Sequence, residues 1–290
     1  MGWAAAGFMR RLQRSLERKT PAQVEASGRR LGRLMMRTVK KRRERCLSNL
    51  KLAFPEMSDR ERQDLAVRTF EHFGICTADF LSSRVWTLES LEGSMEIQGK
   101  EIIDDALKAG KGAIIITGHF GNWERVNIWL GLNGIPLNVV VRTANTQGVD
   151  KIVNDLRGRT GTQVIHRGNA ARPIMAKLRQ NELVGIVPDQ NSDEVFIPFF
   201  GHPAGTVLGP GVIHDRSGAP VIPATCIRTG VGKYRVKICP PLEAFPGYEV
   251  KGEGMMRAIN AWLEDQIRET PEQWLWFHDR WRNARQRGLL

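Results

Sequence analysis

The sequence predicts an α/β fold: a largely parallel mixed sheet flanked by helices, preceded by an N-terminal helical region. Three observations carry this. Beyond residue 96, apolar runs of strand length recur six times. Helical patterns lie between most of them, and strands alternating with helices indicate a parallel sheet covered on both faces. Before residue 96 only helical periodicity is found, so the chain of 290 residues divides into a basic amphipathic helical region, 1–95, packed on an α/β core, 96–290.

The elements follow in order. Trp3, Phe8, Met9, Leu12 and Leu16 recur at helical spacing with Arg10, Arg11, Arg14 and Arg18 between them, and Pro21 ends this stretch. Leu31, Leu34 and Met35 against Arg29, Arg30, Arg33 and Arg37 repeat the theme until Pro55. Ser58-Asp59-Arg60-Glu61 reads as a capping box opening a helix from about Asp59 to Ser82, and the chain stays helical to about Glu96. Strands are expected at Ala113–Thr117, Leu137–Val141, Gln163–His166, Leu183–Val187, Val221–Cys226 and Tyr234–Cys239. Gly201, Gly205, Gly209 and Gly211 around Phe199-Phe200 and Thr206 read as a flexible apolar loop before a helix from about Pro210 to Ser217.

Charge is concentrated at one end. Residues 1–51 hold fifteen Lys and Arg against three acids, the whole net charge of +12, and the rest of the chain is neutral overall. Basic amphipathic helices lie on anionic membranes, and residues 1–18 are the better candidate for such contact. For residues 24–54, packing of the apolar stripe on the main domain competes evenly with it. Nucleic-acid binding is not expected, because the arm offers no zinc finger, no leucine zipper and no RNA-recognition aromatics. No run reaches the ~18 apolar residues of a membrane span, and Met1 to Phe8 with Arg10 and Arg11 behind it does not read as a secretory signal. Cys46, Cys76, Cys226 and Cys239 form no CxxC pair, so neither a zinc site nor a disulfide framework is expected and a reducing compartment fits.

Chemistry points to Gly118-His119-Phe120-Gly121-Asn122-Trp123-Glu124, directly behind the apolar run ending at Thr117. Strand ends are where open α/β sheets do chemistry. His119 and Glu124 are five apart, about 140° from each other on one helix, so they do not form a helical pair. The glycines instead suit a strand-to-helix turn, with Asn122 capping a helix from Trp123 to about Asn133 and Glu124 folding back toward His119 as a base and its orienter. The spacing alone is expected about 0.6 times by chance in this composition, so its weight comes from the setting. Arg142 and Asp189 end the second and fourth of the expected strands, where they join His119 at one edge or form a structural ion pair. There is no GxSxG elbow and no P-loop lysine motif.

Several blocks, in order, resemble the bacterial late acyltransferases of lipid A biosynthesis, a family that includes the phosphatidylinositol mannoside acyltransferases. They are Arg43-Glu44-Arg45 through Asn49-Leu50 to Phe54-Pro55-Glu56; Gly118 to Glu124; Val187-Pro188-Asp189-Gln190-Asn191; Pro198-Phe199-Phe200-Gly201 with Thr206; and Pro271-Glu272-Gln273-Trp274-Leu275-Trp276 followed by Arg280-Trp281. The resemblance implies a glycerolipid acyltransferase-like fold and transfer of a fatty acyl group from acyl carrier protein or coenzyme A to a hydroxyl of a lipid A precursor or related glycolipid. A phosphatidylinositol mannoside or lysophospholipid acceptor is the alternative, and a non-catalytic membrane or nucleic-acid binder is a more remote one. It implies that His119 and Glu124 of this His-x4-Glu motif are catalytic, with Arg142, Asp189, Asn122, Gln190 and Arg280 as substrate-binding candidates. No metal or resident cofactor is implied, since the thioester co-substrate is already activated. Trp274, Trp276, Phe277 and Trp281 are expected in core or interface packing. Many members of the lipid A branch begin with a hydrophobic membrane helix, whereas this chain begins with a basic amphipathic one. Peripheral attachment at the cytoplasmic face of the bacterial inner membrane is therefore expected, and a basic surface also suits an acidic carrier protein.

Overall fold

A computed structural model describes residues 2–135, 137–141 and 147–290. Four helices come first: α1 (Gly2–Leu16), α2 (Pro21–Thr38), α3 (Lys40–Ala53) and α4 (Asp59–Ser82), followed by the short α5 (Leu88–Glu92). There follow β1 (Met95–Gln98), α6 (Lys100–Lys108), β2 (Ala113–Ile116), α7 (Trp123–Leu132), β3 (Leu137–Val141), α8 (Gln147–Gly158), β4 (Gln163–His166), α9 (Ala171–Arg179) and β5 (Leu183–Ile186). The remainder is β6 (Val195–Phe199), β7 (His202–Thr206), α10 (Gly209–Ser217), β8 (Val221–Gly230), β9 (Lys233–Ile238), α11 (Glu253–Glu269) and α12 (Arg282–Gln286).

Seven strands form one sheet in the order β1-β9-β8-β2-β5-β3-β4, every pairing parallel except β8 with β9. The largely parallel mixed sheet is thus as expected, with two differences. Met95–Gln98, expected as the end of the helical region, is an edge strand paired with β9. Four residues are too few for a period to show. The apolar glycine-rich loop is instead a hairpin of β6 and β7, where Phe199 faces His202 and the two turn residues Phe200 and Gly201 have φ of 51° and 73°. Two left-handed residues make the tight turn that matches strand twist, and a phenylalanine at the first hides the signal in the sequence.

Alternation along β2 sorts the core. Ala113 and Ile115 join a cluster with residues of α4, α6, α7 and α8 on one face, while Ile114 and Ile116 pack with residues of α9, α10 and α11 on the other. A third cluster joins Leu50, Phe54 and Phe70 of the helical region or its linker to Phe120, Phe199, Trp274, Trp276 and Trp281 of the α/β core.

The N-terminal helices bury part of their apolar stripes, while Leu34 of α2 stays exposed. Leu16 is buried and Met9 and Leu12 pack partly buried against the core, so the described part of the stripe expected to meet a membrane meets protein instead. The side chains of Trp3 and Phe8 lie outside the described residues. On α2 the contact with α4 is made through glycines: a Cβ on Gly32 would lie 2.0 Å from the Phe70 carbonyl oxygen, and one on Gly28 2.5 Å from Ile75 Cα. The basic residues beside them are used locally, Arg29 and Arg33 both pairing with Glu71 of α4.

Two glycine substitutions should therefore move in opposite directions. Gly32→Ala is expected to lower unfolding free energy by about 1–3 kcal/mol through overpacking. Gly7→Ala, exposed on α1 with nothing near its added Cβ, should raise it by up to about 1 kcal/mol. Urea denaturation checks both, and a neutral Gly32→Ala would contradict the backbone contact.

Candidate active site

Strands β2 and β5 run side by side in the middle of the sheet, with Ile116 opposite Ile186. Parallel pairing brings the segments that leave them, Thr117-Gly118-His119 and Val187-Pro188-Asp189, to the same edge. There the Asp189 carboxylate takes three hydrogen bonds: from the His119 backbone N–H at 2.7 Å, from its ring Nδ1 at 2.7 Å, and from Trp274 Nε1 at 2.9 Å. Burial alone would raise the pKa of Asp189, but the interaction with His119 and these donors outweigh it and hold the pKa at about 2. A carboxylate permanently ionised on Nδ1 keeps the proton on that nitrogen and leaves Nε2 with a free lone pair, toward which Gln190 Nε2 points at 3.4 Å. The ring is 22% exposed and packs edge-on against Trp123, with centroids 5.1 Å apart.

The loop that carries His119 is clamped on every side. A Cβ on Gly118 would meet Leu263 Cδ1 at 2.8 Å, and one on Gly121, at φ 61°, would meet the Cys226 carbonyl oxygen at 2.2 Å. Backbone N–H groups of Gly121 and Asn122 donate to Gln273 and Cys226, while Leu275 N–H donates to the His119 carbonyl. Asn122 occupies the cap position of α7, yet its side chain does not cap; its Nδ2 donates at 2.6 Å to Asp79 of α4. Asp79 also accepts from Arg125 Nε and Nη2 at 2.7 and 2.9 Å, and Arg125 is stacked between Trp86 and Tyr234. From below, His72 Nε2 donates to the Gly121 carbonyl at 3.3 Å. Burial pushes the His72 pKa down to about 3 and that of His278, whose Nε2 accepts the Asn191 N–H, down to about 4.

Glu124 does not orient His119. It sits in the first turn of α7 as expected, but its carboxylate pairs with Arg157 of α8, which donates from Nε at 3.1 Å and again from Nη2. Five residues along a loop and helix turn the side chain toward α8, and the orienting position is filled from β5 instead. Arg157 itself carried no sequence signal: it is one of several basic residues near a helix end and acquires meaning only from its partner. Asp79 and Trp274 escape sequence reading for the same reason, lying 40 residues before and 155 after His119. Arg280 is fully buried: it holds the Gly205 carbonyl and Thr206 Oγ1 of β7 and lies over the Phe199 ring, so it is enclosed in the aromatic core instead of facing an acceptor. Arg142 lies outside the described residues. The four expected aromatics Trp274, Trp276, Phe277 and Trp281 are buried.

His119 opens onto a cavity of about 540 Å³. Arg157, Gln190 and Trp123 line it with His119, and Val140, Ile174, Ile186 and Ile213 are among its apolar lining. Charged groups line it too: Asp150, and Arg167 paired with Glu194 at 3.6 Å. Among the described residues no group of three or more His, Cys, Asp or Glu is placed to hold a metal ion. No helix described is long and apolar enough to cross a membrane. The arrangement supplies an imidazole whose Nε2 is open to the cavity, the Glu124-paired guanidinium of Arg157 in the same lining, and room for an apolar chain.

Two stability effects follow from the buried groups. Asp79→Ala leaves Arg125 without its counter-charge and should cost about 3–5 kcal/mol in urea denaturation, and a loss below 1 would contradict the pairing. His72 and His278 stay neutral when folded and take up protons when unfolded, so stability should fall as pH drops below about 6.5, by up to ~1.4 kcal/mol per pH unit for each. His278→Gln should flatten this slope between pH 6 and 4.5; an unchanged slope would count against the buried neutral histidine.

Comparison with known proteins accords with these features. The family model described as bacterial lipid A biosynthesis acyltransferase matches residues 3–283. The chain is 27% identical over 260 residues to a lipid A biosynthesis palmitoleoyltransferase of Escherichia coli (strain K12), covering 88% of this chain and 83% of that one. It is 28% identical over 257 residues to the lipid A biosynthesis lauroyltransferase of the same organism, covering 87% and 83%. A phosphatidylinositol mannoside acyltransferase of Mycobacterium tuberculosis is 25% identical over 195 residues, covering 64% and 59%. With the match running over nearly its whole length, the chain belongs to the bacterial lipid A biosynthesis acyltransferase family.

Proposed function

We propose that this O-acyltransferase moves a fatty acyl group from an acyl thioester, carried by acyl carrier protein or coenzyme A, to a hydroxyl of a lipid A precursor or related glycolipid. The observation that carries the reading is His119: Nδ1 is held by a buried ionised carboxylate and Nε2 is open to a cavity with apolar walls. In this reading Nε2 takes the proton of the acceptor hydroxyl, the oxygen attacks the thioester carbonyl carbon, the C–S bond breaks, and the departing thiolate takes the proton back from the imidazolium. Asp189 stabilises that imidazolium and fixes its orientation. Glu124 keeps its place in the site indirectly, by holding Arg157 where charge develops on the carbonyl oxygen, and Gln190 meets the substrate beside Nε2. Arg142 is a second candidate cation for the acceptor, Asn122 serves by fixing the start of α7, and Arg280 acts through the β6–β7 hairpin it holds.

The similarity to named lipid A acyltransferases supports a lipid acceptor, and the exposed basic residues of α1 support peripheral attachment to an anionic leaflet at the cytoplasmic face of the inner membrane. The reaction needs no resident cofactor, because the thioester is already activated.

Purified protein with a labelled acyl thioester and detergent-dispersed lipid A precursor should transfer the label. His119→Ala should lower kcat/KM by ~10²–10⁴ with the fold retained, and Asp189→Asn by about 10⁴ through the wrong tautomer. Glu124→Gln should lower it too, and a double variant with Arg157→Gln should add little further loss. Full activity of His119→Ala would overturn the reading.

A further inference from the structure

A second cavity, of about 580 Å³, lies between α1, the end of α4 and α8. Arg10 and Arg14 enter it from α1, Arg84 from the residues just after α4, and Arg159 from just beyond α8; one carboxylate, Asp155, is beside them. All five are exposed. Elsewhere in the helical region several arginines have acid partners, Arg29 and Arg33 with Glu71, Arg45 with Asp279 and Arg62 with Asp59, while Arg42 lies over the Phe277 ring and donates to its carbonyl. Among the described residues none of the four cleft guanidiniums has a carboxylate within 4 Å; Arg14 and Arg159 reach only backbone carbonyls, of Arg10 and Arg84.

Four like charges gathered in a concave space repel one another, and an anion between them reverses the sign of that interaction. The shape matters as much as the charge. A hollow lined by planar guanidinium forks suits the oxygens of a phosphate group, which arginine binds in pairs of hydrogen bonds. Ile152 and Leu156 of α8 give it an apolar floor, and Val85, next to Arg84 in the chain, is 56% exposed. Cation forks with apolar groups beside them match a lipid headgroup at the edge of a bilayer better than a fully hydrated ion.

We propose that the cleft of Arg10, Arg14, Arg84 and Arg159 binds the phosphate of an anionic membrane lipid, a site separate from the catalytic cavity. Helix α8 is the wall between the two: Arg157 lines the catalytic cavity and Arg159, two residues on, lines the cleft. A headgroup held there keeps the enzyme on the leaflet while the acceptor occupies the catalytic cavity. Met9, Leu12 and Leu16 of α1 pack on the core, so in this proposal attachment works through the arginine face. The inference rests on the reading that the substrate is a membrane lipid.

The test uses the full chain and sedimentable vesicles of phosphatidylcholine alone or mixed with an equal part of phosphatidylglycerol. Wild type should bind the mixed vesicles and not the neutral ones. Arg84→Gln with Arg159→Gln should weaken binding roughly 30-fold. Lys111→Gln with Arg179→Gln, which removes two exposed charges before β2 and β5 at the edge away from His119, should change it less than about twofold. Arg10→Gln with Arg14→Gln supplies a second cleft pair if the first perturbs folding, judged by thermal melting. Equal losses in cleft and control pairs, or none in either cleft pair, overturn the site. Binding of inorganic phosphate to the cleft without preference for phosphatidylglycerol vesicles overturns the lipid source. Acyl transfer to a detergent-dispersed acceptor should persist in the cleft variants, whereas His119→Ala should keep vesicle binding and lose transfer, so failure of the site and failure of the catalytic reading are distinguishable.

Discussion

The Asp189 carboxylate is the interaction on which the rest of the site depends. A buried anion is tolerated only where donors satisfy it, and here they come from three places in the chain: the backbone and ring of His119 after β2, and the indole of Trp274 near the C-terminus. Each tie has a separate consequence. The backbone bond sets the loop, the ring bond sets the tautomer, and the indole bond brings the C-terminal aromatic segment over the sheet edge. An apolar residue at 189, with no acceptor, would release all three together.

That aromatic segment explains why the helical region and the α/β core behave as one packed body. Trp274 and Trp276 meet Phe199 and Phe200 of the hairpin, and Phe54, at the end of α3, packs on Phe200 and Trp276. From the other side, Asp79 of α4 ties down Asn122 and Arg125 at the start of α7. The loop that carries His119 is therefore held between a helix that precedes the sheet and a strap that follows it. Rigidity of this kind is what a base needs if its lone pair is to meet a hydroxyl at hydrogen-bond distance.

Charge in the N-terminal fifty residues has two uses. Where acids of α4 are in reach, arginines of α2 pair with them and help to join the helices. Where no acid pairs with the arginines, as at Arg10 and Arg14, the charge joins that of Arg84 and Arg159 from later in the chain and stays available for an anion from outside. The same composition thus serves packing and recognition, and position relative to α4 decides which.

Much of the architecture was legible in the sequence, because strand and helix periods are local. The capping box at Ser58 and Glu61, the helix Asp59–Ser82 and the six core strands needed no distant partner to be read. So was the place of His119 at the end of a central strand, since an apolar strand running into a glycine turn is a local pattern. What tertiary structure alone decided is which group faces which. It gave His119 to Asp189, Glu124 to Arg157 and Asp79 to Arg125, enclosed Arg280 in the core, and turned Met9, Leu12 and Leu16 of α1 inward. Those partners lie tens of residues apart, and the direction of a side chain depends on strand register and helix packing, which a one-dimensional pattern does not carry.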